Sequence, residues 1–263
     1  MSTVTSRDGT RIAFDRAGEG PAIILVDGAM CYRGAGPADA LAAELAGAFT
    51  VHTYDRRGRG ESGDATGEAT GDSVSSVERE VDDLAALVEQ AGGRAFVFGH
   101  SSGAVLALEA SLREPGIAGL ALFEPPPVGG GSEAELFKRL DELVRAGRRG
   151  EAVEAFQTAI GLPPEMVAGM RESPFRAALE AIAPTLVYDT ALTSAADLGR
   201  YAAVSVPAIL IDSLASPELL HASTRAVAEA VPGARRRSLP GGFHDVEAGV
   251  LAPVLGEFFG ERA

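Results

Sequence analysis

The feature that most constrains this 263-residue chain is an alternation of short apolar runs with segments whose apolar residues recur every three to four positions. Strands are predicted at 4–6, 10–15, 22–26, 50–54, 95–98, 117–123, 208–211 and 235–239, the first two flanking Asp8-Gly9 as a hairpin. Helices are predicted at 37–46, 74–91, 102–114, 217–231 and 247–259, and in the second of these Val77, Val81, Leu84, Leu87 and Val88 share one face. Such an order predicts an α/β fold with a mostly parallel eight-stranded sheet. The rhythm breaks once. From 125 to 205 there are only helical pieces, at 132–146, 151–160, 164–170, 174–182 and 195–204. The expected organisation is a core formed by 1–124 and 206–263, with an all-helical cap, 125–205, inserted between strands six and seven. A Pro/Gly-rich linker, 125–131, leads into the cap.

Composition narrows the partners. Thirty-seven acidic against 23 basic residues give a formal charge of −14, which repels nucleic acid and anionic membranes. Neither is expected as a partner, and a small-molecule substrate is. The single cysteine, Cys31, excludes an intramolecular disulfide framework and a cysteine-rich zinc site. The opening MSTVTSRDGTR has no apolar stretch, so no signal peptide or membrane span is expected and the predicted location is cytoplasmic. No pattern sets an oligomeric state.

The strongest local signal is Gly99-His100-Ser101-Ser102-Gly103, a G-x-S-x-G between a predicted strand and a predicted helix. A sharp turn there projects Ser101 at the carboxyl edge of the sheet, with the positive end of a helix behind it. A serine hydroxyl is a weak nucleophile and requires a base within reach. Of the four histidines, His52 lies mid-strand, His100 sits in the turn with its ring expected to point away, and His221 lies on a helix as a solvated side chain. His244 follows the last strand through Pro240-Gly241-Gly242-Phe243, a loop at the edge where Ser101 emerges.

These residues, with the stretch Tyr54-Asp55-Arg56-Arg57-Gly58-Arg59-Gly60-Glu61-Ser62-Gly63, the Gly242 to Asp245 loop and the helical insertion, resemble the α/β-hydrolase superfamily over essentially the whole chain. The resemblance implies a serine hydrolase with a helical cap. It also implies an oxyanion hole made by the backbone N–H groups of Ala29 and Ser102, and a structural role for the Arg-Gly stretch. Two positions depart from the pattern. Asp27-Gly28 stands where many relatives have His-Gly, and Asp27 is expected to turn away and bond to backbone. Ser216 stands where relatives place the triad acid; the superfamily has a second solution with the acid at the end of the preceding strand, and by that resemblance the acid is expected to be Glu124, which ends an apolar strand, with Asp212 as the competing carboxylate. Asp245 adjoins His244 too closely to orient it.

Met30, Cys31, His100, Met166 and Met170 are candidate pocket-lining residues. The basic clusters 145–149 and 235–237 read as solvated faces. No phosphate loop or metal-ligand spacing is visible, so no cofactor and no metal is expected. The expected activity is hydrolysis of a small, largely apolar carboxylic ester, lactone or thioester through an acyl-enzyme on Ser101. The rivals are a non-hydrolytic reaction on the same constellation, either haloperoxidase-like perhydrolysis or a lyase step, and a non-catalytic ligand receptor.

Overall fold

A computed structural model of the chain describes residues 2–65, 73–128 and 131–261, backbone included. Residues 129 and 130 of the predicted linker lie outside the described residues. Eight strands, β1 (Ser2–Thr5), β2 (Arg11–Ala17), β3 (Ala22–Val26), β4 (Thr50–Tyr54), β5 (Ala95–His100), β6 (Ile117–Phe123), β7 (Ala208–Ser213) and β8 (Arg235–Leu239), form one sheet in the order β1-β2-β4-β3-β5-β6-β7-β8. The β1–β2 and β2–β4 pairings are antiparallel and the rest are parallel.

The central strands are unbroken apolar runs because both of their faces are covered. On one side pack α2 (Ser73–Gln90), α3 (Ser102–Ser111) and α9 (Glu218–Ala230), and on the other α1 (Ala38–Leu45) and α10 (Ala248–Gly260). The edge strand β8 is different: Arg235, Arg236 and Arg237 are exposed, and the first and last pair with Glu261 and Glu257. Charge on an outer strand discourages pairing with another chain.

Between β6 and β7 the described residues are helical: α4 (Gly131–Arg145), α5 (Arg149–Ala159), α6 (Pro164–Arg171), α7 (Arg176–Ile182) and α8 (Leu186–Ala195), with short 3₁₀ turns at Ala183–Thr185 and Leu198–Ala203. They carry their own apolar cluster, centred on Leu140, Val153, Leu186 and Val187. Two local expectations fail here. Helix α8 is not foreseen by periodicity because residues 186–193 are all buried, leaving no polar stripe to mark a face. The helix predicted at 195–204 is instead the tail of α8 and a 3₁₀ turn, started by Asp197, whose carboxylate accepts the Gly199 N–H at 2.9 Å. Strands β5 and β7 each run two residues beyond prediction, to His100 and Ser213, which carries the ladder to the edge where the chemistry-bearing residues sit.

Candidate active site

The turn after β5 is sterically over-determined. Ser101 has φ 56° and ψ −123°, a conformation that L-residues rarely adopt. A Cβ on Gly103 would lie 2.3 Å from the Val26 carbonyl oxygen, and one on Gly99 would lie 2.5 Å from Ala104 Cα. Only glycine lets the backbone close this tightly. The Ser101 N–H donates to Phe123 O at 2.9 Å and the Glu124 N–H donates to Ile211 O at 2.9 Å, so each residue stands one step past the end of its strand.

Backbone strain marks the site independently. Among the described residues, the non-glycine positions with positive φ are Met30 (63°), Ser101 (56°), Glu124 (43°) and His244 (51°). Met30, Ser101 and His244 line one cavity of about 390 Å³, and Glu124 touches His244 from behind. The cavity lies between the sheet edge and the helical insertion, which contributes Leu136, Phe156, Ile160, Thr190 and Thr193 among others.

Glu124 is fully buried, and its Oε2 lies 2.6 Å from His244 Nδ1. Burial alone raises a carboxyl pKa. Here hydrogen bonds from His244, the Ser213 N–H and the Ser216 hydroxyl outweigh it and hold Glu124 below the usual glutamate value. An ionised carboxylate only accepts, so His244 carries its proton on Nδ1 and leaves Nε2 as the lone-pair nitrogen. Ser216, at the position where the resemblance led to an expected acid, supplies a hydroxyl that bonds Glu124 and accepts the His244 N–H at 3.0 Å. Ser213 fastens the same loop, its hydroxyl donating to Gly242 O at 2.7 Å. The competing carboxylate faces elsewhere: Asp212 Oδ2 lies 3.2 Å from His221 Nδ1, on α9. His221 is accordingly not the solvated side chain expected; it is half-buried against that acid.

Residues 24–253 match the model of the alpha/beta hydrolase family. The chain belongs to that family. It is 44% identical to an alpha/beta hydrolase from Sphaerobacter thermophilus DSM 20745, whose crystal structure it overlays with a TM-score of 0.86 over 98% of this chain and 100% of that one. The enol-lactonase of Burkholderia xenovorans LB400 shares the fold at 20% identity, with a TM-score of 0.73 over 98% of this chain and 100% of the other. The uncharacterized hydrolase YraK of Bacillus subtilis (strain 168) is 40% identical over 111 residues, a match spanning 41% of this chain and 38% of that protein.

Other expected residues of this alpha/beta hydrolase fall in and out of the cavity. Ala29, Met30, Ser102 and His100 line it. The His100 ring does not point away, as expected, because it is wedged between Phe123 and His244, with ring centroids 5.4 Å and 4.8 Å distant. Burial pushes its imidazole down to about 3, so it stays neutral there. Cys31, Met166 and Met170 are not among the residues lining this cavity; Met166 is 55% exposed, on the outer face of α6. Asp27 turns away from the cavity, bonding the Ala38 N–H at the start of α1, and burial pushes its carboxyl up to about 7.

The Arg-Gly stretch after β4 is a buried ionic framework. Arg57 makes a two-pronged pair with Asp83, both bonds 2.7 Å. Arg56 pairs in the same way with Glu80, at 2.8 and 2.6 Å, and also reaches Asp189 on α8 at 2.7 Å. Arg59 reaches Asp189 at 2.6 Å. Sequence reasoning missed Asp189, Thr190 and Thr193 together with their helix. The available signal was a lone acid in the apolar run Leu186-Val187-Tyr188-Asp189-Thr190-Ala191-Leu192, which cannot be buried without cationic partners. Among the described residues no helix is long and apolar enough to cross a membrane.

Proposed function

We propose that this alpha/beta hydrolase is a cofactor-free serine hydrolase of small, largely apolar esters, lactones or thioesters. Ser101 is the nucleophile. In acylation His244 Nε2 takes the hydroxyl proton as Oγ attacks the carbonyl, and the oxyanion is held by the N–H groups of Ala29 and Ser102. The imidazolium, stabilised by Glu124, gives its proton to the departing alkoxide or thiolate. In deacylation His244 takes a proton from water, whose oxygen attacks the acyl carbon, and returns it to Ser101 Oγ as the acid leaves.

The single observation that carries this reading is the 2.6 Å pairing of the buried Glu124 carboxylate with His244, on a wall of the cavity that Ser101 also lines. The helical insertion, 125–205, acts as a cap whose lining is largely apolar, with Pro126, Pro127, Leu136, Phe156, Ala159 and Ile160 beside the two carboxylates Glu133 and Asp189, a lining that suits a neutral acyl group and repels an anionic one. With a formal charge of −14, the enzyme is read as recognising a small molecule and neither nucleic acid nor an anionic membrane.

The test is labelling with a fluorophosphonate followed by peptide mapping. One adduct on Ser101 is expected, absent from Ser101→Ala. A folded wild type that takes no label, or takes it on another residue, overturns the assignment.

A further inference from the structure

We propose that Asp189, on the insertion helix α8, is the positioning residue that sets both backbone donors of the oxyanion hole. This inference rests on the serine-hydrolase reading and goes beyond it by making the hole depend on a side chain from outside the sheet.

Asp189 is 2% exposed and its two oxygens are fully engaged. Oδ1 accepts from Arg56 and, at 2.7 Å, from the Ser102 hydroxyl, and Oδ2 accepts from Arg59 at 2.6 Å. Burial raises its pKa, but Arg59 and Arg56 beside it and the Ser102 hydrogen bond outweigh that, and the carboxyl is held below the usual aspartate value. Each partner leads to one donor. Arg59 donates to Gly28 O at 2.6 Å, and Gly28 C=O belongs to the same peptide plane as Ala29 N–H. In a trans peptide the two groups point in opposite directions, so fixing the carbonyl fixes the direction of the N–H. The cation on that carbonyl also polarises the peptide and strengthens its N–H as a donor. Arg56 adds a 3.3 Å bond to Asp27 O, one peptide earlier. On the other side, the Ser102 hydroxyl lies between Asp189 and Arg56, 3.1 Å from the latter, which pins the residue whose own N–H is the second donor.

A purely structural clamp has no need to meet the chain at these two residues. Arg57 with Asp83 is the internal contrast: an equally buried pair from the same loop that touches neither Gly28 nor Ser102. Removing Asp189 leaves Arg56 with Glu80 and leaves Arg59 with only the neutral acceptors Thr185, Gly28 O and Cys31 O, so the anchor that orients Arg59 toward Gly28 O and the acceptor of the Ser102 hydroxyl are both lost. Removing the Ser102 hydroxyl releases one donor.

The experiment compares Asp189→Asn, Ser102→Ala and Asp83→Asn. It measures kcat and KM for p-nitrophenyl butyrate, inhibition by an alkyl trifluoromethyl ketone that forms an oxyanion on the nucleophile, and thermal stability. Loss of one such donor lowers kcat by about 100-fold or more. Asp189→Asn should lower kcat by at least that factor with KM little changed, and weaken the ketone in proportion. Ser102→Ala should lose about tenfold in both, as a partial release of one donor. Asp83→Asn should lower thermal stability and leave kcat and ketone affinity as in wild type. If Asp189→Asn does not fold, Ser102→Ala against Asp83→Asn still decides, since the proposal requires only the former to weaken the ketone. Wild-type kcat and ketone affinity in Ser102→Ala, or equal losses in Asp83→Asn, overturn the clamp while fluorophosphonate labelling of Ser101 keeps the hydrolase reading intact. A wild type that neither labels nor turns over removes the reaction and the clamp together.

Discussion

The turn that delivers Ser101 and the loop that delivers His244 solve one problem in opposite ways. The serine turn is closed by backbone: Gly99 and Gly103 have no room for a side-chain carbon, and α3 behind them is buried along nearly its whole length. The histidine loop has one tight backbone contact, at Gly241, where a Cβ would lie 2.2 Å from Asp245 O, and beyond it is closed by side chains. Gly242 has open space around it, Phe243 is 48% exposed, and the loop is tied down by the Ser213 and Ser216 hydroxyls and by Glu124. A position fixed by backbone contact tolerates almost no other residue. A position fixed by hydrogen bonds can move its partners to other strands, as long as the geometry at the imidazole is kept.

Four experiments break or sharpen that contrast. The largest effect is expected at the two groups proposed to react, where rigidity should not matter: Ser101→Ala and His244→Ala should each lower kcat by about 10⁴- to 10⁶-fold, and the double variant should lose no more than either single one, as read from ester turnover. Next is the carboxylate proposed to orient His244. Glu124→Ala should lower kcat by about 10³- to 10⁴-fold, Ser216→Ala by about tenfold, and Asp212→Ala by less than about threefold. The reverse ranking of Glu124 and Asp212 would show that the histidine loop is held from β7.

The third experiment addresses the glycines directly. Gly103→Ala drives a carbon into the Val26 carbonyl and should cost about 3 kcal/mol of stability, whereas Gly242→Ala should stay within about 0.5 kcal/mol, both by denaturant unfolding. The smallest effect on turnover is expected at Asp27, behind the serine side of the cavity. Its carboxyl titrates at about 7 in the fold against 3.8 as a free group, so the folded state favours the protonated form. Stability should therefore fall as pH rises from about 4 to about 7 and level off above, as the unfolded chain loses that proton first. Asp27→Asn should remove that slope in a pH series of melting curves and leave kcat unchanged.

The same contrast explains what the sequence made legible. The sheet and its helices follow from apolar runs and periodicity, and the serine turn follows from letters that sterics does not allow to vary. Glu124 is legible by its position, a carboxylate ending an apolar strand. Ser216 is readable only as a missing acid, because nothing in its letter tells that the hydroxyl bridges Glu124 and the histidine backbone. Helix α8 is hidden for a physical reason: a helix buried all round has no amphipathic stripe, and with it went Asp189 and its pairing with Arg56 and Arg59. Cys31, Met166 and Met170 were placed by residue type and neighbourhood alone, and neither fixes which way a side chain faces. The Arg-Gly stretch reads as structural, and its buried ion pairs agree, yet the acid that joins Arg56 and Arg59, Asp189, lies more than one hundred residues along the chain.

The central claim is that the imidazole of His244 activates the hydroxyl of Ser101. It is tested most directly by the rate at which a fluorophosphonate labels Ser101 between pH 5 and 9, in wild type, Glu124→Ala and His244→Ala. The wild-type rate should climb with pH and then level off. In Glu124→Ala it should be lower throughout, and in His244→Ala it should be slowest and lack that rise. A wild-type rate and pH profile in His244→Ala would contradict the account.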